Sequence, residues 1–468
     1  MIIAGLHPTQ LRRLIGLWGS LGMTEIDSRS SRQHLTIQNG SLFVDGVSCK
    51  RLAEEFDTPL YVLSQDRIRH NYRAFHRALT RIYPHILVCP AYKANSHSAV
   101  CRLYEIEGAG AEVVSPAELR MALDADVDPE KVVYNGPMKK VADLELAIES
   151  EVGLINADSI SELEHMQRAA SKVGKRCNTG LRINVGMEPL THPHLATAHR
   201  EHKFGIWIEE AIAAYRSASN KPELNMIGMH CHIGSDISET KVMSKMARKI
   251  LALATQVKKE AGINLSKIDM GGGVGYPYQA GSAVISFEEY AASLLTADIA
   301  NLVDLGNPTL VFEPGRALAA DAGILLTRVN VLKCQGNVNW AIVDAGMNAF
   351  IRPALYNAKH QILLTNRDSE HEGTYSIGGS CCESADTLAR GIMLPTLVEG
   401  DLLAVLDVGA YGYTMASNYN GQPRPAVVLV ADGRGELIRR RDSYEDMIAG
   451  EIVPTRLAKQ APTDTNSS

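Results

Sequence analysis

Lys93 has the most reactive-looking setting in this 468-residue chain. It sits in CPAYKANSHSAV, at the end of a strongly apolar run, where a single amine stands among small and aromatic neighbours. Burial there disfavours the ammonium and predicts a depressed pKa and a nucleophilic amine, as a Schiff-base lysine requires. The plainer reading is an exposed lysine at a strand end. A second run ends in Gly271, Gly272 and Gly273, with Gly275 beyond, and bares backbone N–H groups that suit a phosphate. Tyr276 stands where a dinucleotide fingerprint needs its third glycine, and a tight turn explains the run equally well. EPGR supplies Glu313 and Arg316 around Gly315; a carboxylate of this kind keeps a pyridine nitrogen protonated. HCHIGS places His230 and His232 at alternate positions, hence on one face of a strand. No Cys or carboxylate follows at zinc spacing, so no metal is expected. Stacking of His232 on a ring and a phosphate contact from Ser235 suit these residues better.

These residues need elements that bring them together. From residue 59, short β-rich runs alternate with helical stretches such as AELRMALDA and ISELEHMQRAA. After a lead-in, PLYVL, eight candidate strands follow: HILVCPAYK, AEVVS, KVVYNG, VGLINA, GLRINV, NMIGMHCHIGS, KIDMGGG and TLVFEPG. Eight such units over about 250 residues predict a closed (β/α)8 barrel. Lys93, Asn135, Asn156, Arg182, His232, Gly271 to Gly273 and Glu313 fall at the C-terminal ends of those strands, where a barrel gathers its active site. Beyond residue 316 the helical pattern fades, and ILLTRVNVLKC, WAIVDAG, DLLAVLDVG and AVVLVADG read as strands of a C-terminal β domain, of sandwich or barrel-like form. LTIQNGSLFVDGV alternates around Asn39-Gly40, the favoured pair for a two-residue hairpin turn. The expected organisation is therefore an N-terminal extension (1–34), a hairpin (35–56) joining the β domain, a barrel (57–316), the β domain (317–455) and a disordered tail (456–468). Within the extension, residues 1–22 are expected to be dispensable, because Met23 opens a polar, start-like stretch.

A lysine, a phosphate turn, an acid and a stacking histidine at one barrel mouth form the set that pyridoxal 5'-phosphate needs. YKANS, GAGAEVVSPAEL, KFGI, HIGS, GGGVGYPY, EPGR, DAGMNAFIRPALYNA, CCESADTLA and GAYGYTMASNYN occur in this order. This set resembles the diaminopimelate decarboxylases, fold type III pyridoxal-phosphate enzymes, from about Pro59 to Tyr444. The resemblance implies that Lys93 carries the cofactor and that His232 lies on its ring. It puts Ser235, Gly272, Gly273, Glu313, Gly315, Arg316 and Tyr411 around the cofactor, with Glu313 on the pyridine nitrogen. It also implies substrate contacts from Arg316, Arg352, Tyr356, Glu383 and Tyr411, and proton donation by Cys382. Cys382 and Glu383 would reach the site of the other protomer, so a homodimer with shared active sites is implied. Ser380 replaces a usual proline, Glu112 a frequent aspartate, and RINV the usual RINP.

The implied reaction converts meso-2,6-diaminopimelate to L-lysine and carbon dioxide. Alternatives are a decarboxylase of D-lysine, D-ornithine or a specialised substrate, and a pyridoxal-phosphate-binding regulator without catalysis. IRPALY argues against the first and intact Lys93, Cys382 and Glu383 against the second. Arg352 also admits a structural salt bridge, and Cys381 packing. Cys101, Cys177 and Cys334 read as buried thiols, and His192, His194 and His202 as a solvated or substrate-gating loop. With 47 basic against 53 acidic residues, net charge −6, there is no basic field for nucleic acid or an anionic membrane. The Leu14–Leu21 stretch is too short to span a bilayer. Eight dispersed cysteines without a CxxC pair fit a reducing compartment, hence the cytoplasm.

Overall fold

The computed structural model describes residues 32–187, 202–278, 285–296, 299–368 and 371–457. His192 and His194, residues 1–31 and most of the expected tail lie outside them. The chain opens with the expected hairpin: β1 (Leu35–Gln38) pairs antiparallel with β2 (Ser41–Val44), Gln38 opposite Ser41. Asn39 and Gly40 both adopt positive φ, 50° and 69°, as a two-residue turn demands.

After a two-residue strand, Val47–Ser48, that pairs with β2, β3 (Leu60–Ser64) corrects the domain boundary expected at residue 57. It is a central strand of the second sheet, parallel to Ala426–Ala431 and antiparallel to Gly323–Gln335. Ser64 then caps the helix Gln65–Thr80 by accepting from Arg67 N–H.

Eight parallel strands form the barrel: β4 (Ile86–Val88), β5 (Ala111–Val113), β6 (Val132–Tyr134), β7 (Leu154–Ala157), β8 (Cys177–Asn184), β9 (Leu224–His230), β10 (Lys267–Asp269) and β11 (Thr309–Phe312). Their order is β4-β11-β10-β9-β8-β7-β6-β5, and backbone bonds from Gly110 to Val88 and from Glu112 to Pro90 close the ring. Helices cover the outside, so the strands are buried on both faces and read as apolar runs. Ser115 and Ser159 cap the helices after β5 and β7.

The second domain is a sheet in the order 387–395, 372–378, 338–343, 323–335, β3, 426–431, 434–439. Leu35, Leu42 and Val44 of the hairpin pack on its Ile324, Leu326, Val428 and Val430. The N-terminal boundary also moves: Arg32 is 3% exposed, so the fold begins before residue 35.

Candidate active site

Lys93 leaves the barrel where the ring closes, two residues beyond the bridge between Ala91 and Glu112. Its Nζ donates to Glu112 Oε2 at 2.7 Å. This overturns the expected depression of its pKa. Burial pulls the ammonium down, but Glu112, Tyr411 and Glu313 together outweigh burial and hold it above its ordinary range. The side chain stays 42% exposed toward the mouth, whereas Glu112 is 1% exposed.

Beneath it lies a linked polar set. Asn135 Nδ2 donates to Glu313 Oε1 and, at 3.2 Å, to Glu112 Oε1; Asn156 Nδ2 orients Asn135 by donating to its Oδ1 at 2.8 Å. His230 Nε2 lies 3.4 Å from Glu313 Oε2. Asp269, which the sequence reading missed, ends β10 and accepts from Gly271 N–H at 2.8 Å. Burial alone would raise both carboxyls. His230 and Lys93 pull Glu313 well below the carboxylate range, and burial with the Glu313 charge drives Asp269 far above it. The pair thus shares one negative charge. The ligand-type atoms of His230, Asp269 and Glu313 all lie within 4.8 Å of one another. Sequence spacing gave His230 no carboxylate partner; the fold supplies two from separate strands.

His232 Nδ1 accepts from Gly272 N–H at 3.2 Å. Burial and the nearby Arg182 and Lys93 push its pKa far below the ordinary histidine value, so it presents a neutral ring. The glycine turn needs glycine: Gly273 has φ 103°, and a Cβ there would lie 2.3 Å from Gly234 O. Ser235 Oγ accepts from Arg316 Nη2 at 3.1 Å, and Arg316 Nη1 donates to the Tyr278 hydroxyl at 2.7 Å. Tyr278 was also missed, although it closes the GGGVGYPY motif. A Cβ on Gly315 would meet Tyr411 Oη at 3.1 Å, and Tyr411 N–H donates to Ala94 O at 2.8 Å. The turn, the Arg316 loop and Tyr411 therefore converge beside Lys93.

Arg352 starts the short helix Arg352–Tyr356 and is 5% exposed. Its guanidinium lies 5.6 Å from the rings of Tyr278 and Tyr356 and 5.9 Å from Tyr411. Cys382 and Glu383 are not gathered in this way. Both are exposed; Cys382 N–H donates to Asn420 Oδ1, and Glu383 Oε2 accepts from Tyr419 at 3.3 Å. Cys101 and Cys177 are buried as expected, whereas Cys334 is exposed, near the end of the strand Gly323–Gln335.

The arrangement offers an amine, an anionic pair below it, a flat neutral ring and an N–H-rich turn beside a guanidinium. These residues fit pyridoxal phosphate: an aldehyde for Lys93, a pyridinium for the Glu313–Asp269 charge, and a phosphate for the turn. The family model described as pyridoxal-dependent decarboxylase, pyridoxal binding domain, matches residues 65–320. The diaminopimelate decarboxylase of Methanocaldococcus jannaschii is 38% identical over 427 residues, 90% of this chain and 97% of that protein. The chain belongs to the diaminopimelate decarboxylase family. The Pseudomonas aeruginosa diaminopimelate decarboxylase is 40% identical over 416 residues, covering 89% of this chain and 98% of its own length. The crystal structure of the M. jannaschii enzyme matches with TM-score 0.87 at 37% identity, over 92% of this chain and 100% of that one. That of the Helicobacter pylori enzyme complexed with L-lysine gives 0.80 at 32%, over 86% and 98%. The barrel-plus-β-domain reading stands, the chain is a decarboxylase, and pyridoxal 5'-phosphate is its cofactor.

Proposed function

We propose that this decarboxylase converts meso-2,6-diaminopimelate to L-lysine and carbon dioxide. Arg352 carries the reading. It is a buried guanidinium without an acidic partner among the described residues, its Nε lacks a hydrogen bond, and it shares the Tyr278–Tyr411 wall with Arg316. Such a group calls for an anion from outside the chain, and a substrate with an amino-acid group at each end brings one on its distal carboxylate.

The other residues divide the work. Lys93 would hold the cofactor through its side-chain amine and would serve in product release. Glu313, kept ionised by His230 and Lys93, would hold a proton on the pyridine nitrogen, and the neutral His232 ring would lie against the cofactor. Gly272, Gly273, Ser235, Gly315, Arg316 and Tyr411 surround the phosphate side. When bound, pyridoxal phosphate supplies the electron sink that makes loss of carbon dioxide accessible. Arg316, Arg352, Tyr356 and Tyr411 orient the substrate from within the chain. Cys382 and Glu383 complete the site from the partner subunit of a homodimer, with Cys382 as proton donor and Glu383 on the distal amine. Their exposure on a loop bonded to Asn420 and Tyr419 supports this placement. Eight free cysteines support a cytoplasmic location.

The test is carbon dioxide release from meso-diaminopimelate, D-lysine, L-lysine and D-ornithine, each incubated separately with the cofactor-loaded protein. Release from diaminopimelate far above the others is expected. A preference for D-lysine or D-ornithine overturns the substrate assignment, and bound cofactor without any release points to a regulator.

A further inference from the structure

Arg32, at the end of the segment that sequence patterning set aside as an extension, is buried in the core beside the site. Arg32 Nη2 pairs with Asp407 Oδ2, both side chains 1% exposed, and Arg32 Nη1 donates to Gln361 Oε1 at 2.7 Å. Asp407 accepts through its other oxygen from the Tyr276 hydroxyl at 3.0 Å. Tyr276 packs edge-on against Tyr278, ring centroids 5.1 Å apart, and Tyr278 accepts from Arg316. Gln361 follows His360, whose ring lies 4.7 Å from that of Tyr278 and whose Nδ1 faces Leu406 O at 2.9 Å. Asp407 stands four residues before Tyr411. One guanidinium therefore joins the segments of Gln361 and Asp407 directly, and that of Tyr276 through Asp407; these segments carry His360, Tyr411 and Tyr278, and Arg316 bonds to Tyr278.

We propose that Arg32 is a positioning residue for this wall: by holding Asp407 and Gln361 it fixes Tyr276 and Tyr278, and through them the Arg316 guanidinium. The inference rests on the reading that Arg316 and Tyr278 face substrate and cofactor. Its physical basis is charge. A carboxylate as buried as Asp407 stays an acceptor for Tyr276 only while a cation neutralises it. Without Arg32 the carboxyl takes up a proton, the Tyr276 hydroxyl loses its fixed acceptor, and the Tyr276–Tyr278 pair loses its anchor.

The experiment compares the full-length, cofactor-loaded protein with Arg32→Gln, Tyr276→Phe and the double variant. KM and kcat for meso-diaminopimelate are read alongside thermal midpoint. The pyridoxal phosphate dissociation constant is measured by absorbance titration without substrate. Arg32→Gln is expected to raise KM about tenfold with a smaller change in kcat, and to weaken cofactor binding by a similar factor, as misplacement of a binding group does. Tyr276→Phe keeps the ion pair, so it should raise KM severalfold at a near-native midpoint. The double variant should be no worse than Arg32→Gln alone, because both act through one path. Native KM and cofactor affinity in folded Arg32→Gln overturn the proposal, as do effects that multiply in the double variant. If Arg32→Gln does not fold, Tyr276→Phe decides: a raised KM supports the path and a native KM overturns it. If the native protein fails to turn over diaminopimelate, the functional reading fails separately, and cofactor affinity still decides the role of Arg32.

Discussion

Lys93 Nζ stands 2.7 Å from Glu112 Oε2, and Glu112 shares the Asn135 amide with Glu313. The amine proposed to hold the cofactor aldehyde is thus kept as an ammonium by a carboxylate on the adjoining strand. Attack needs the neutral amine, so Glu112 controls how readily Lys93 gives up its proton as well as where the side chain points.

Glu112→Gln should therefore speed covalent capture of pyridoxal phosphate by cofactor-free protein near pH 7.5. Glu112 raises the Lys93 pKa; removing its charge lowers that pKa and enlarges the neutral fraction, about tenfold for each unit. Capture followed by absorbance from pH 6.5 to 9 should show the variant's profile displaced to lower pH. An unchanged profile with slower capture throughout would mean that Glu112 only orients the lysine.

The barrel and Lys93 were legible because their signals are local. Strand and helix periods alternate over a few residues, and polar groups at strand ends stand out against apolar runs. Asp269 was hidden by the same logic, since within KIDMGGG it looks like one polar position in a short strand. Its role exists only because β11 sets Glu313 beside it. The place of Leu60–Ser64 was illegible for another reason. It stands where the βα alternation begins, but its parallel partner starts at Ala426, and no local pattern encodes a pairing that distant. Arg32 gave no signal at all, for an arginine in a polar segment is ordinarily exposed.

Acid should weaken the fold through buried histidines. Burial lowers His34 and His97 to about 4 each, below the unfolded value of about 6.5. Each contributes stability that is fully present above pH 6.5 and is lost as pH falls through about 4, about 3 kcal/mol apiece. Glu118 and Asp407, which burial raises to about 7 and about 6, run the other way: their contribution is present below the ordinary carboxyl pKa and lost as pH rises. The clean measurement is thus a difference. The stability gap between native protein and His97→Gln, from denaturant midpoints, should shrink as pH drops from 7 to 4.5. A constant gap would show that folding leaves the His97 pKa at its unfolded value.

Lys93→Ala should abolish turnover, leaving less than about a hundredth of the rate, and Cys382→Ala should lower it severely. Mixing the two variants distinguishes a shared site from a self-contained one. If Cys382 acts across a dimer, half of the sites in each mixed dimer hold both native residues, and about a quarter of native activity should return after random exchange. No recovery after subunit exchange has been verified by mass would place Cys382 within its own chain's site or outside the chemistry.

Arg352→Ala should damage diaminopimelate handling far more than D-lysine handling. The guanidinium is 5% exposed and lies 5.6 Å from the Tyr278 ring, a setting from which burial already lowers its pKa. A carboxylate arriving there relieves that burial by pairing in two parallel hydrogen bonds, worth about 2 to 5 kcal/mol when its loss leaves the partner charge unpaired. That corresponds to a rise in KM of about 30-fold or more. D-lysine carries no carboxylate at its distal end, so removing Arg352 costs it little and even spares it an uncompensated buried cation. Arg352→Lys should fall between, because an ammonium keeps the charge but not the paired geometry. Equal loss for both substrates, with native circular dichroism, would make Arg352 a structural residue and remove the distal carboxylate from the account of specificity.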